Sequence, residues 1–315
     1  MKSYLSLFLI IILFLASCTQ PDYDVIIRNG MIYDGSGSPA YQADIGIKND
    51  TIAFIGDLQE KTAKEDYDAV EMAVSPGFIN MLSWANTSLI EDGRSQGDIR
   101  QGVTLEVLGE GTSMGPWNEA MRKRRKENQT TIKYDVTWST LGGYLEMLEK
   151  KGVSTNVTSF VGNATIRQYV LGNDSRKPND EELQKMKDLV REAMEEGAVG
   201  ISSSLLYVPS KYSDTEELIE LAKVAAEFDG MYISHIRSEG AHVIESVQEL
   251  ITIAREAGID AEIYHLKTSE KGNWQKLDSV VTIVEAAQEE GLHITADIYT
   301  YPASSTGLSV VLPDW

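Results

Sequence analysis

The sequence predicts an α/β fold, an incomplete (β/α) barrel of about seven parallel strands preceded by a small N-terminal β domain. Amphipathic helical stretches recur, and each ends in a glycine that opens a β-rich run, as a left-handed helix cap before a strand would do. From Gly197 through Gly230 and Gly258 to Gly291 the spacings are 33, 28 and 33 residues, each the length of one βα unit. Before these repeats, short alternating runs predict hairpins.

Composition limits the classes of protein to which the chain can belong. Its 315 residues are 42% hydrophobic, which is enough to bury a large core. A net charge of −20 argues against nucleic acid as a partner, because phosphate backbones are bound by basic patches. The single cysteine, Cys18, excludes an intramolecular disulfide and a cysteine-rich zinc site.

Residues 1–20 have the layout of a secretory signal. One lysine precedes an apolar run from Leu5 to Leu15, and small residues follow. The segment from Leu15 to Cys18 resembles a bacterial lipobox, which implies cleavage before Cys18 and lipidation of its thiol; the alternative is an uncleaved anchor helix. Either reading places the protein outside the cytoplasm on a membrane. Thr19 and Gln20 after the cysteine fit the outer membrane.

Residues 21–75 and 76–315 form the other two predicted domains. Between Tyr23 and Val74, apolar alternation is broken by Asn-Gly, Asp-Gly and Asn-Asp pairs, which favour tight hairpin turns in a small sheet. The barrel begins with the strand VSPGFINML and reaches seven strands without an eighth. We therefore expect a barrel that lacks its last strand; the alternative is that residues 299–315 fold back and close it.

Two histidines occupy equivalent positions at predicted strand ends. His235 ends the run MYISH, and His265 ends AEIYH one βα unit later. Side chains at the carboxyl ends of parallel strands converge on one mouth of a barrel, and imidazole is the commonest protein ligand for transition metals. Each histidine alone could be a satisfied core residue, but the pair favours a shared metal site. His242 and His293 are expected to be structural.

A series of ordered motifs carries a family resemblance. PGFI, QGVT, GAVGISSSLLYVPSKYSDTEELIELAK, YISHIRSEG, YHLKTS and TADIYTY together resemble the N-acyl-D-amino-acid deacylases of the metal-dependent amidohydrolase superfamily, over residues 24–312. The resemblance implies a barrel with a β-sandwich, half of it in residues 21–75 and the rest at the far end of a longer chain. It also implies hydrolysis of the C–N bond of N-acyl amino acids or related amides by a zinc-activated water.

The chain departs from this family at the first strand. In the family, a His-x-His pair after the PGFI strand holds one of two metals, whereas this chain has Leu82 and Trp84 at those positions. Neither side chain can ligate a metal. The resemblance therefore implies that one metal position is lost, and that Leu82 and Trp84 fill its space with apolar surface.

The resemblance also implies a ligand after the second strand, where the family has a cysteine. Aligning LGEGTSMGP on that segment places Glu110 at the cysteine, and Glu with two His is a catalytic ligand set that leaves a position open for water. One divalent ion, zinc, is then held by Glu110, His235 and His265. Two alternatives stay open: Glu110 is a solvated loop carboxylate, or a shifted alignment places Gly109 or Gly111 there.

Other functional residues also follow from the resemblance. Tyr207, Arg237 and Lys267 match substrate contacts of the family, and Arg237 and Lys267 could hold a substrate carboxylate; for each residue the alternative is ordinary surface salt bridging. The general base is an aspartate on the eighth strand, expected beyond Trp315. Asp297 is not assigned that role, since the family has an aspartate there as well. The given chain is therefore expected to be weakly active or inactive.

Two functional hypotheses result. The first is a mononuclear metal hydrolase of N-acyl amino acids or related small amides outside the cytoplasm. The second is a non-catalytic membrane-anchored lipoprotein that uses a degenerate barrel for binding, which the lost His-x-His pair motivates. A ligand-competent Glu110 favours the first hypothesis.

Overall fold

The computed structural model describes residues 20–311, without the side chains at positions 309 and 311. The lipobox with Cys18, and the terminal Trp315, lie outside the described residues. The chain divides into two compact units between Gly77 and Phe78, two residues after the boundary drawn from the sequence. No helix within residues 20–311 has the length and apolar character needed to cross a membrane.

The first unit is one five-stranded sheet. Its strands are β1 (Tyr23–Ile32), β2 (Tyr41–Lys48), β3 (Thr51–Gly56), β4 (Ala63–Asp68) and β5 (Ala73–Val74). The order is β3-β2-β1-β4, with β5 also paired to β1. The antiparallel β2 and β3 are joined through Asn49, whose φ of 54° suits a tight turn. By contrast β1 pairs with β4 and β5 in parallel, a pairing that turn signals cannot predict.

The second unit consists of parallel strands and helices. Its strands are β6 (Phe78–Asn80), β7 (Val103–Leu108), β8 (Asn156–Ser159), β9 (Val161–Gly162), β10 (Gly200–Ser204), β11 (Met231–His235), β12 (Asp260–Ile263) and β13 (Ile294–Ala296). Its helices are α1 (Ser88–Glu91), α2 (Gln96–Ile99), α3 (Glu119–Glu127), α4 (Leu141–Lys151), α5 (Asn163–Val170), α6 (Asp180–Glu195), α7 (Thr215–Ala226), α8 (Val243–Ala257) and α9 (Leu277–Glu289). Short 3₁₀ turns lie at Ser210–Tyr212, Lys271–Lys276 and Leu308–Val311.

The strands form two parallel sheets, in the orders β6-β7-β8 and β13-β12-β11-β10-β9. The expected count of about seven differs from the eight segments described, because the β-rich run that follows Gly152 is split at Phe160 into β8 and β9. Ser159 pairs with Leu108 of β7, whereas Val161 pairs with Ile201 of β10. Among the described residues the strands do not close into a ring.

Two hydrophobic clusters divide the core of this unit. The larger cluster joins strands to helices and includes Leu108, Tyr232 and Ile263. The smaller consists of Val107, Phe160, Ile233 and Tyr264. Because side chains alternate along a strand, adjacent residues of β7 and β11 enter different clusters. The smaller cluster is therefore the inward-facing surface of the strands.

The helix ends mostly follow the sequence signals. Gly258 ends α8 in the left-handed conformation, and its N–H donates to the Ala254 carbonyl, as predicted for these junctions. At Gly230 the positive φ is taken instead by the preceding Asp229. Asp214 caps the N-terminus of α7, since its side chain accepts from the Glu217 N–H. The Ser213 hydroxyl is used elsewhere, because it donates to the Glu217 carboxylate.

Candidate metal centre

Three side chains converge at the carboxyl ends of three parallel strands. His235 is the last residue of β11, His265 lies two residues after β12, and Glu110 lies two residues after β7. One ligand atom from each residue lies within 4.8 Å of the others. Strands far apart in sequence therefore bring together the three residues that the sequence assigned to one ion.

The distances within this cluster suit a shared divalent ion. Glu110 Oε1 lies 3.1 Å from His235 Nδ1 and 3.5 Å from His265 Nε2. Ligands at 2.0 to 2.2 Å from a tetrahedral zinc are separated by about 3.3 to 3.6 Å. Of the two alternatives for Glu110, the solvated loop carboxylate is contradicted, because this side chain is only 8% exposed.

The electrostatics of the cluster indicate an anionic carboxylate between two imidazoles. Although burial favours the neutral acid, hydrogen bonds to His235 and His265 lower the pKa of Glu110 to about 2. Burial likewise opposes charge on His265, but hydrogen bonds to Glu110 and Glu239 raise its pKa to about 9. An ionised carboxylate and imidazole nitrogens are suitable donors for a divalent transition metal.

Two glycines fix the position of Glu110. Gly109 and Gly111 have φ of +102° and +60°, and a Cβ on either would lie 2.4 Å from Phe160 O or Ser204 Oγ respectively. The Gly111 N–H also donates to Ser202 Oγ at 3.0 Å. The loop that carries Glu110 is therefore packed so closely against the neighbouring strands that both flanking positions require glycine.

The backbone of His265 has an unusual conformation. Its φ is +37°, a left-handed conformation that costs a residue other than glycine about 1 to 3 kcal/mol. The Asp297 Oδ1 accepts a hydrogen bond from the His265 N–H at 2.5 Å, which supports this turn. Burial raises the pKa of both Asp297 and Glu262, whose carboxyl groups face each other. The Asp297 side chain thus stabilises the backbone turn at the candidate ligand His265.

Sequence reasoning missed Glu239. Its Oε1 lies 3.0 Å from His265 Nδ1, 3.7 Å from His235 Nε2 and 2.5 Å from Lys267 Nζ. The available signal was its place in SHIRSEG, four residues after His235, where polar side chains can face the mouth of a barrel. A fourth residue therefore belongs to the candidate site, on the side of the imidazoles that faces away from Glu110.

The expected substrate residues differ in their surroundings. The Tyr207 ring lies edge-on to His235, with centroids 5.1 Å apart, and its hydroxyl pairs with Thr306 Oγ1 at 2.7 Å. Lys267 is within the cluster, 2.9 Å from His265 Nδ1. Tyr207 and Lys267 are thus adjacent to the candidate ligands.

Arg237 does not present the free fork that the sequence suggested. Its Nε and Nη2 donate to both carboxylate oxygens of Glu249 at 2.9 and 2.8 Å. Two further bonds go to the carbonyls of Lys211 and Ser213. The bidentate ion pair that was expected with a substrate carboxylate is therefore made with Glu249 of α8 instead.

The two residues at the positions where the family has its His-x-His pair differ in burial. Leu82 packs against the inward-facing cluster. Trp84 is 63% exposed. The expectation that both side chains fill the space of a second metal is therefore wrong for Trp84, whose indole faces solvent.

The chain is similar to known deacylases. A D-aminoacylase and an N-acyl-D-glutamate deacylase of Alcaligenes xylosoxydans xylosoxydans are 32% and 31% identical over 93% and 94% of this chain, which in each case spans 60% of the relative. A D-aminoacylase crystal structure superposes with a TM-score of 0.79 at 30% identity, and the N-acyl-D-glutamate deacylase of Bordetella bronchiseptica with 0.78 at 32%. Both cover 89% of this chain and 59% of the solved chain. No family model matches.

A more distant structure shares the fold alone. The L-hydantoinase of Arthrobacter aurescens has a TM-score of 0.55 at 16% identity, over 88% of this chain and 58% of that one. Fold and strand-end cluster thus define an amidohydrolase-type α/β protein. Over more than nine-tenths of its length the chain is similar to N-acyl-D-amino-acid deacylases, and it spans about three-fifths of the length of these relatives.

Proposed function

We propose that this chain carries the metal centre of an amide hydrolase that acts on N-acyl amino acids or related amides, at C–N bonds other than peptide bonds. The observation that supports this most strongly is the convergence of Glu110, His235 and His265 within 4.8 Å at three strand ends. The relatives that the chain resembles over nine-tenths of its length are N-acyl-D-amino-acid deacylases.

The proposed cofactor is one divalent ion, zinc, held by Glu110 Oε1, His235 Nδ1 and His265 Nε2. The buried His235 Nε2 has no hydrogen-bond partner among the described residues, and Nδ1 is the nitrogen that faces Glu110. Leu82 and Trp84 supply no second set of ligands. In the relatives, one deacylase was solved with zinc, and a D-aminoacylase with a binuclear centre is described by one-metal activation and second-metal attenuation.

When bound, such an ion supplies Lewis acidity, which activates water and polarises an amide carbonyl. The side chains around the ion would come from this chain. Glu110 is ionised because its pKa lies near 2, and Tyr207 shields one side of His235. Lys267 supplies positive charge beside His265. No residue among those described is assigned as the general base; the family resemblance implies an aspartate in that role.

A hydrolysis assay tests this proposal. The protein from the complete reading frame, loaded with one equivalent of zinc, is offered a panel of N-acyl-D- and N-acyl-L-amino acids. We expect release of free amino acid by the wild type and a loss of at least 100-fold for His265→Asn, because removing a ligand disrupts the activating ion. Zinc binding without any hydrolysis would instead favour the alternative, a degenerate barrel used for binding.

We also propose that Cys18 is lipidated and tethers the protein outside the cytoplasm to a bacterial membrane, the outer membrane in a diderm host. The support is the lipobox in residues 15–18. Wild-type protein should partition with membranes, while Cys18→Ser should leave it soluble outside the cytoplasm or block its processing. Wild type found wholly in the soluble fraction would contradict the anchor.

A further inference from the structure

Three polar atoms meet on the side of His265 that faces away from Glu110. Glu239 Oε1, Lys267 Nζ and His265 Nδ1 form a triangle with sides of 2.5, 2.9 and 3.0 Å. Lys267 also donates to the His265 carbonyl at 2.9 Å. The ammonium group can only donate, so its bond to Nδ1 requires that nitrogen to be unprotonated. The carboxylate can only accept, so its bond to Nδ1 requires a proton there. The two groups therefore favour opposite protonation states of Nδ1.

That competition decides which nitrogen of His265 can bind a metal. Nε2 faces Glu110 and needs a free lone pair to act as a ligand, so the proton of the neutral ring must sit on Nδ1. A proton on Nδ1 is stabilised when it is donated to Glu239. If Lys267 donates to Nδ1 instead, the proton moves to Nε2 and that nitrogen cannot ligate.

We propose that Glu239 is a positioning residue of the metal centre that selects the metal-binding tautomer of His265 against the competing Lys267. The inference rests on the proposed function, since it concerns the same ion. Outer carboxylates that accept from ligating histidines are known to orient the ring and raise ligand basicity, and their loss typically costs 10- to 100-fold in metal affinity.

The same oxygen also faces the second imidazole. His235 Nε2, the nitrogen opposite the one near Glu110, is buried without a hydrogen-bond partner among the described residues. It lies 3.7 Å from Glu239 Oε1, too far for a hydrogen bond but close enough for electrostatic attraction. One carboxylate oxygen thus lies behind both histidines and favours a proton on each outward nitrogen.

Glu239 has the charge that this role requires. Lys267 Nζ donates to its Oε1 at 2.5 Å, and the Ser269 hydroxyl donates to its Oε2 at 3.4 Å. A carboxylate paired with an ammonium group is an anion and can only accept. Lys267 in turn compensates the buried negative charge, so the pair can remain in a largely enclosed site.

Zinc affinity of three variants tests the inference, measured by competition with a chromophoric chelator at one fixed pH. Glu239→Gln should raise the zinc Kd 10- to 100-fold, because the competing lysine is left to donate to Nδ1. Lys267→Met should bind zinc at least as tightly as the wild type. The double variant Glu239→Gln with Lys267→Met should recover affinity relative to Glu239→Gln. Nitrogen-15 shifts of His265 in zinc-free protein, recorded at a pH above the pKa of the ring so that it is neutral, should show the proton moving from Nδ1 to Nε2 in Glu239→Gln.

Glu220→Gln is the matched control. Glu220 is also a carboxylate held by lysines, Lys187 and Lys223, and those bonds lower its pKa to about 2. It lies on α7 outside the cluster, so zinc affinity should be unchanged.

Two results would overturn the inference. The first is wild-type zinc affinity in Glu239→Gln, and the second is a double variant as weak as Glu239→Gln. If Glu110→Gln still weakens zinc binding in that same series, the proposed function stands and only the role of Glu239 fails. If the wild type binds no zinc, or Glu110→Gln binds it equally well, the metal centre itself fails.

Discussion

At the scale of single residues, the placement of Glu110 depends on the glycines beside it. The Gly111 position has a φ of +60°, and an added Cβ would lie 2.4 Å from Ser204 Oγ and 3.1 Å from the Ser204 backbone nitrogen. Backbone cannot move aside as a flexible side chain can. The carboxylate is therefore held towards the histidines by close packing of the main chain.

Gly111→Ala should consequently lower the free energy of unfolding by more than about 2 kcal/mol and reduce zinc content, since it adds a steric clash to left-handed strain. Gly172→Ala is the control, because Gly172 has a similar φ of +68° and no heavy atom within 4 Å of the added Cβ. The control should cost about 1 to 2 kcal/mol, the cost of left-handed backbone for a residue with a Cβ, and leave zinc content unchanged. Urea denaturation and metal analysis measure both. Equal costs for the two variants would contradict the packing argument.

The charges of the cluster predict a pH dependence for the zinc-free protein. Against the opposing effect of burial, hydrogen bonds to the two histidines lower the pKa of Glu110 from 4.5 to about 2, so the stability that this carboxylate adds is present above pH 4.5 and is lost as pH falls towards 2. Burial is likewise outweighed at His265, where hydrogen bonds to Glu110 and Glu239 raise the pKa from 6.5 to about 9, so the stability that this imidazole adds is present below pH 6.5 and is lost as pH rises through 9. The stabilisation that the pair provides is thus greatest between about pH 4.5 and 6.5.

Glu110→Gln removes this interaction, so the difference in unfolding free energy between wild type and variant should be largest near pH 6 and shrink by pH 9. Urea denaturation of chelator-treated protein at several pH values measures it. A difference that stays constant from pH 5 to pH 9 would show that Glu110 and His265 are not coupled.

Sequence could locate the candidate ligands but not their supporting residues. His235 and His265 stand out because both lie at the carboxyl ends of predicted strands, which converge on one mouth of a barrel. Glu239 does not, because a glutamate in a loop is usually solvated, and its partner Lys267 lies 28 residues away. The ion pair of Arg237 with Glu249 could not be predicted for the same reason, since only the folded chain brings Glu249 to its guanidinium.

At the scale of secondary structure, a buried ion pair joins α5 to α7. Arg167 Nη1 contacts Glu217, and both side chains are at most 3% exposed. Arg167 Nη2 donates to the carbonyls of Asp174 and Arg176 at 3.3 and 2.9 Å, and Glu217 also accepts from Ser213. The pair therefore links two helices and two loops.

Arg167→Met should destabilise the protein by about 3 to 5 kcal/mol, because it leaves the carboxylate of Glu217 buried without its partner. Adding Glu217→Gln should recover part of that loss, since the uncompensated charge is then removed. Chemical denaturation of both variants measures the difference. A double variant that is no more stable than Arg167→Met would show that lost packing, not the stranded charge, sets the cost.

Element boundaries show where sequence patterns stop being informative. Periodicity and glycine caps located the βα units because both are local properties of the chain. The split between β8 and β9 was not visible, because it depends on Ser159 and Val161 pairing with strands on opposite sides. The cap of α7 is Asp214 and not the preceding Ser213, because the Ser213 hydroxyl donates to the Glu217 carboxylate.

At the scale of the whole molecule, the outer strands of the second unit expose apolar side chains. Phe78 and Ile79 of β6 are 61% and 56% exposed, and Ile298 and Tyr301 after β13 are 65% and 62% exposed. β6 and β13 are also the terminal strands of their sheets. Exposed strand edges with apolar residues template association between chains.

The 315-residue chain by itself should therefore bind the dye ANS and elute in light-scattering chromatography as more than a monomer. Lysine substitutions at Phe78 on β6 and at Ile298 just after β13 should reduce both signals, because charges near a strand edge oppose edge pairing. A monomer with a sharp thermal transition and no dye binding would contradict this expectation.

The central claim, that Glu110, His235 and His265 hold a single ion, is tested most directly by zinc stoichiometry. Protein from the complete reading frame, saturated with zinc and freed of excess, is analysed by mass spectrometry of the metal. We predict about one zinc per chain, and a substantially lower content in Glu110→Ala, His235→Ala and His265→Ala, with Glu220→Gln unchanged. Two zinc ions per chain, or one that survives Glu110→Ala, would contradict the account.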